Sequence, residues 1–218
     1  MIDAIINFIL NLIHALYQLP DLIGWGGYLI LFLIIFAETG LFFGFFLPGD
    51  SLLITAGLFA AGGKLNILIL IPSLIAAAIV GDTIGYWSGH RFGKHLFERK
   101  KSRIFKKKHL LKAKAFYEKH GGKTIVIARF MPLIRTFAPI VAGATDMPYK
   151  KFAYFNVIGG ILWVLSMTLI GYFIGTAVPD IEKNIGLLVI AVVAVSFIPG
   201  IIEYLRQRKQ DRQIPVPA

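Results

Sequence analysis

Four charged residues stand inside apolar sequence. Glu38 follows the run Tyr28–Ala37, Asp50 follows Pro48-Gly49, and Arg129 and Arg135 flank Pro132. A charge at the centre of a bilayer costs about 2.5–3.5 kcal/mol even on the lenient insertion scale, so such groups face a cavity or a partner. Two arginines beside the N-termini of half-helices make an anion site. The backbone N–H groups and the positive dipole end suit phosphate, and each guanidinium adds a bidentate fork. Two carboxylates nearby can exchange a proton, because burial and an adjacent guanidinium act on them in opposite directions. Through such a site an apolar chain bearing a phosphate can pass with its tail in lipid and its head in the cavity. Each residue also has a plainer reading. Asp50 with Ser51 can cap a half-helix starting at Ser51 or Leu52. Glu38 can be an arginine's structural partner, and Arg135 can snorkel to the headgroups. Asp82 can simply hydrogen-bond a neighbouring helix. Gly49, Pro132, Thr136 and Pro139 complete the set that shapes the two sites.

The elements that must position these residues follow from composition. Of 218 residues 56% are hydrophobic and 16% charged, and mean hydropathy is +0.71. Soluble domains carry about 25% charged residues. This chain cannot cover itself with polar groups, so lipid is its outer solvent. The net charge of +11 is unevenly placed: no Lys or Arg precedes Lys64, whereas thirteen fall between Arg91 and Lys123. Apolar stretches on both sides of that block argue against a soluble nucleic-acid binder and for a cytoplasmic anchor. The absence of cysteine rules out a disulfide framework, a cysteine zinc site and a thiol nucleophile. Residues 1–20 lack a basic start and a small-residue cleavage site, so this first helix is expected to stay in the mature protein.

Charge then sorts the stretches that cross. The basic segment 90–123 and the tail 206–218 belong on the cytoplasmic side, so an even number of crossings separates them. Segments 152–178 and 185–205 are clean crossings joined by a loop with little positive charge. No crossing is left for 124–147, which must enter and return on the cytoplasmic side. By the same logic 65–89 crosses, and 22–61, about twice the ~20 residues of one span and broken by Gly40, Gly44, Pro48 and Gly49, folds as a hairpin from the outside. The predicted fold class is an all-α integral membrane protein in one membrane domain, 1–218. It is an inverted repeat of re-entrant hairpin plus transmembrane helix, with an additional C-terminal transmembrane helix.

The repeat is visible in the letters. Phe46-Leu47-Pro48 returns as Phe130-Met131-Pro132, Ala56-Gly57 as Ala142-Gly143, and Ile84-Gly85-Tyr86 as Ile170-Gly171-Tyr172. The first pair is 84 residues apart and the other two 86. Inverted repeats interrupted by Gly and Pro at matching positions point to a transporter's midplane site.

Glu38-Thr39-Gly40-Leu41 with Phe46-Leu47-Pro48-Gly49-Asp50-Ser51-Leu52-Leu53 resembles the first signature of the bacterial DedA family, whose core is a VTT-type membrane domain. Phe116 to Lys123 followed by Ala128-Arg129-Phe130-Met131-Pro132-Leu133-Ile134-Arg135-Thr136-Phe137-Ala138-Pro139 resembles the second, and Val80-Gly81-Asp82 and Asn156-Val157-Ile158-Gly159 also fit. The family's four charged positions map onto Glu38, Asp50, Arg129 and Arg135. The resemblance implies an inner-membrane protein that returns undecaprenyl phosphate across the bilayer for envelope synthesis, with links to proton-motive force. It also implies kinship with eukaryotic lipid scramblases.

Three transport readings stay open at this point. One is a polyprenyl-phosphate flippase with Arg129 and Arg135 on the phosphate and proton exchange at Glu38 and Asp50. A second is a less selective phospholipid scramblase. The third is a proton-coupled transporter of small cations that uses the two acids directly. A membrane phosphatase is disfavoured, because none of the five histidines (14, 90, 95, 109 and 120) sits beside the hairpin arginines. The expected partners are the lipid substrate, protons and membrane lipids, with no nucleic acid, no cofactor and no metal; no enzyme activity is expected.

Overall fold

The computed structural model describes residues 25–41, 49–98, 117, 121–179 and positions 184, 186, 188 and 192. Among the described residues every element is a helix: α1 Trp25–Gly40, α2 Gly49–Ala61, α3 Ile67–Glu98, α4 Lys123–Ala128, α5 Pro132–Ala144 and α6 Tyr149–Ala177. The expected segments 1–20 and 206–218 lie outside the described residues, as do Pro48, most of the basic segment and most of 185–205.

Two helices, Ile67–Phe92 within α3 and Tyr149–Ala177, are long and apolar enough to cross a membrane. They run antiparallel. The Tyr86 ring packs on Phe152 with centroids 4.6 Å apart, Asn156 Nδ2 donates to the Ile79 carbonyl at 3.2 Å, and Leu70 and Leu74 share a core with Trp163 and Val164. One boundary differs from the sequence expectation. The apolar stretch predicts a crossing over 65–89, but α3 continues to Glu98. Its 32 residues measure about 48 Å, longer than a hydrocarbon core of about 30 Å. Lys, Arg and Glu are good helix formers, so the helix outlasts the apolar stretch. At the other edge α6 starts at Tyr149, three residues before the predicted 152.

The remaining helices are short, and local chemistry explains why. α5 has 13 residues, about 20 Å. Its start is set by Pro132 at the first helical position, which forces Met131 into an extended conformation (φ −112°, ψ 102°) and separates α5 from α4. Pro139 inside α5 has no N–H to give to the Arg135 carbonyl. α2 ends in a Schellman turn: Gly63 takes φ +70°, Gly63 N donates to Ala60 O at 3.1 Å, and Lys64 N donates to Phe59 O at 2.9 Å. Asn66 Oδ1 then accepts from Leu68 N at 2.9 Å to start α3. α5 ends the same way, with Asp146 at φ 58°, Asp146 N to Gly143 O at 3.1 Å, and Met147 N to Ala142 O at 3.1 Å.

The two halves therefore repeat in three dimensions, and they exchange helices. α1 lies along α3, where Asn66 N donates to Tyr28 Oη at 2.6 Å, and α4 lies along α6, where Gly122 admits Phe155. α2 instead packs on α6 and α5 on α3. A Cβ on Gly57 would lie 2.1 Å from the Thr168 carbonyl oxygen, and one on Gly143 would lie 2.0 Å from that of Tyr86. The backbone of Ile54 faces Gly171, and that of Ile140 faces Gly89. Gly57 and Gly143, Ile54 and Ile140, and Tyr86 and Tyr172 are each 86 residues apart, the spacing of the sequence repeat. Because α3 and α6 are antiparallel, the hairpin α1–α2 opens at one end of the bundle and α4–α5 at the other.

Candidate functional site

The break between α4 and α5 places the two arginines differently. Arg129 is the C-cap of α4, three residues ahead of the Pro132 that starts α5. Arg135 lies one turn into α5 and is 8% exposed, too enclosed to snorkel.

Arg135 joins the two hairpins. Its Nη2 donates to Glu38 Oε1 on α1, and its Nη1 donates to Asp50 Oδ1 on α2. Asp50 Oδ1 also accepts from Trp163 Nε1 at 2.8 Å, and the Arg135 guanidinium stands 4.7 Å from the centroid of the same indole. Trp163 is fully buried at the midpoint of the 29-residue α6. The two acids are not equivalent. The Glu38 side chain is 2% exposed and that of Asp50 29%, so Asp50 forms the open edge of the cluster. Among the described residues Glu38 Oε2 and Arg135 Nε are both buried without a partner, so the pair makes one hydrogen bond where a fork-on-carboxylate pairing allows two. Gly49 is what makes room for Glu38: a Cβ there would lie 1.7 Å from Glu38 Oε2.

Arg129 belongs to a second, closed cluster. Its Nη2 donates to Asp82 Oδ2 on α3 and, at 2.5 Å, to Asn156 Oδ1 on α6. Arg129, Asp82 and Asn156 are each 3% exposed or less. The guanidinium passes Gly159 and Gly160, where a Cβ would come within 3.0 Å of Arg129 Cδ and 3.6 Å of Nη2.

Several supporting assignments change. α2 begins at Gly49, so Asp50 and Ser51 sit inside its first turn rather than capping it, and Ser51 Oγ is buried without a partner among the described residues. Thr136 is buried in α5, and Pro139 packs within reach of Gly85. Trp163 and Asn156 are neutral, so charge in apolar sequence does not point to them. Their signal is positional: Asn156, Gly160 and Trp163 fall at i, i+4 and i+7 of one buried face of α6.

Residues 47–173 match the VTT domain. The chain is 47% identical over 211 residues to Protein DedA of Escherichia coli, covering 96% of each chain. It is 45% identical over 169 residues to an uncharacterized membrane protein of Mycobacterium leprae, covering 78% of this chain and 75% of that one. It is also 33% identical over 157 residues to the inner membrane protein YghB of Escherichia coli, covering 72% of this chain and 71% of that one. No solved structure matches the chain.

Proposed function

This chain belongs to the DedA family of VTT-domain membrane proteins, and we propose from that premise that it is an inner-membrane lipid transporter, not an enzyme, that carries undecaprenyl phosphate across the bilayer with proton exchange at Glu38 and Asp50. The observation that carries this reading is Arg135, held by Glu38 and Asp50 between hairpins of opposite halves, beside the midpoint of α6. Discontinuous helices meeting at the level of the bilayer midplane are where transporters of inverted-repeat design bind substrate.

In this reading both hairpins are re-entrant, α1–α2 from outside and α4–α5 from the cytoplasm, and the C-terminal tail is cytoplasmic. The half-helix α5, about 20 Å long, is too short to cross a core of about 30 Å, which supports the assignment. Both carboxylates occupy Arg135 in the resting state. A lipid phosphate arriving at the open edge replaces Asp50 on Nη1; the displaced carboxylate is still ionised when it leaves the guanidinium, and a proton taken up afterwards from the open edge removes its charge from the apolar interior. Glu38 keeps hold of the guanidinium through Nη2. Arg129 serves a positioning role here, tying the α4–α5 break to α3 and α6, and only Arg135 meets the phosphate.

The test is reconstitution in vesicles with labelled undecaprenyl phosphate and a labelled ordinary phospholipid followed side by side. Movement of the polyprenyl phosphate, lost in Arg135→Ala, is the expected result. Equal movement of both lipids makes the protein a scramblase. Proton-linked flux of a small cation with neither lipid moving makes it a cation transporter.

A further inference from the structure

Trp163 touches both members of the ion pair through different parts of one side chain. Its indole N–H donates to Asp50 Oδ1 at 2.8 Å, while its ring face lies 4.7 Å from the Arg135 guanidinium carbon. The ring is completely enclosed, so it has no freedom to follow either group. Asp50 therefore has two donors, one mobile on the arginine and one fixed on α6. A carboxylate moved off a guanidinium inside an apolar interior is strongly penalised unless another donor remains. The only other protein donor to Asp50 among the described hydrogen bonds is Trp163 Nε1.

We infer that Trp163 is the positioning residue of the phosphate exchange: its N–H retains Asp50 when a phosphate takes the arginine, and its ring holds the guanidinium in place meanwhile. This rests on the phosphate reading above and adds a residue that neither charge nor family pattern singled out for the site. The ring covers one face of the Arg135 guanidinium, whose N–H donors all point outward in its plane. A flat anion-binding edge over a fixed indole selects a ligand that approaches in the guanidinium plane, as phosphate and carboxylate oxygens do. Loss of the N–H alone makes release of Asp50 harder, because the departing charge then has one donor fewer. Phosphate binding weakens as a result. If position 50 carries no charge, nothing needs retaining and the indole N–H ceases to matter.

That dependence gives the test. Binding of dodecyl phosphate, with dodecanol as the uncharged control, is measured on the full chain in detergent for wild type, Trp163→Phe, Asp50→Asn and the double variant. Trp163→Phe is expected to weaken dodecyl phosphate binding about tenfold, the low end for a hydrogen bond to a charged group because Asp50 is partly exposed. In the Asp50→Asn background the same change is expected to cost about twofold or less, a coupling that additive packing effects do not produce. A loss of equal size in both backgrounds, or no loss in either, overturns the role of Trp163 while leaving the phosphate site standing. Wild-type protein that binds dodecyl phosphate no better than dodecanol overturns the phosphate site and this role with it. If Trp163→Phe does not fold, benzothienylalanine at 163 removes the N–H at constant shape and answers the same question.

Discussion

Gly49 lies directly beneath Glu38, so close that a methyl group on it would stand 1.7 Å from the Glu38 Oε2. The end of a glutamate side chain can swing aside, so Gly49→Ala leaves the helix intact and evicts the carboxylate from Arg135. We expect the variant to fold, to melt near the wild-type temperature, and to behave as though Glu38 were missing. Losing one charge-assisted bond of about 1.5–3 kcal/mol corresponds to a drop of about ten- to a hundredfold in transport. Transport at the wild-type rate in vesicles would show that the Glu38–Arg135 contact is dispensable.

The mirrored seams give a stability prediction. At Gly57 and Gly143 the neighbour is backbone, which cannot step aside: Thr168 O at 2.1 Å and Tyr86 O at 2.0 Å from a Cβ. Alanine at either position must push α2 off α6 or α5 off α3, a form of overpacking that costs roughly 1–3 kcal/mol or more. The two variants should lose similar amounts of thermal stability, as halves of one repeat. Gly27→Ala is the control, because among the described residues its Cβ meets nothing nearer than Leu65 at 4.0 Å. Unequal losses, or a control that melts as low as the seam variants, would remove the equivalence of the two halves.

Much of this was legible in the letters because the physics was local. The charge at Glu38, Asp50, Arg129 and Arg135 is conspicuous in apolar sequence, and Pro132 fixes the break between α4 and α5 through its own ring. The 86-residue spacing of Gly57 and Gly143 survives as one pair of helix seams. What stayed hidden depends on the partner helix. No spacing along the chain says that Arg129 turns to Asp82 and Arg135 to Glu38 and Asp50, 47, 97 and 85 residues away. Nor does it say that α2 leaves its own half to pack on α6. Trp163 and Asn156 carry no charge to draw attention, and the end of α3 was missed because hydropathy ends before helix propensity does.

The two arginines should fail in different ways. Arg129 is sealed among Asp82, Asn156, Gly159 and Gly160, so Arg129→Ala leaves Asp82 buried without its cation. Removing one partner of a buried pair costs about 3–5 kcal/mol, and Arg129→Ala should show it as lost yield and melting temperature. Arg129→Ala with Asp82→Ala should recover part of that stability, since neither charge is then orphaned. Arg135→Ala leaves two acids without their cation, the enclosed Glu38 and Asp50 at the open edge, to which Trp163 still donates, so it should also cost stability. Its distinguishing mark is the entire loss of lipid transport in the protein that folds. Melting curves and transport on the same preparations decide it; an Arg129→Ala protein that folds normally but fails to bind lipid would return Arg129 to the phosphate site.

Topology has a direct measurement, helped by a chain that contains no cysteine. Single cysteines at Lys123 and Lys150 bracket the hairpin α4–α5, and one at Lys64 reports the opposite end of α3. A membrane-impermeant thiol reagent applied from outside should label position 64 and spare 123 and 150. Labelling at 150 but not 123 would mean that the hairpin crosses, and the inverted arrangement would fall.

The last prediction concerns which acid carries the proton. Asp50 stands at the open edge of the cluster, 29% exposed, while Glu38 is enclosed at 2%. A proton can reach the exposed carboxylate without the hairpins moving, whereas the enclosed one exchanges only when the structure opens. Asp50→Asn should therefore remove the dependence of transport on a pH gradient and still permit the lipid to equilibrate. Glu38→Gln should instead loosen Arg135 and lower lipid binding about ten- to a hundredfold, the worth of one charge-assisted bond. Both variants keep the size of the side chain, so folding should be spared in each. The measurement is lipid movement in vesicles with and without an imposed pH gradient, for wild type and the two variants. A response to the gradient that persists in Asp50→Asn and vanishes in Glu38→Gln would reverse the assignment. Persistence in both would confine the two acids to holding Arg135.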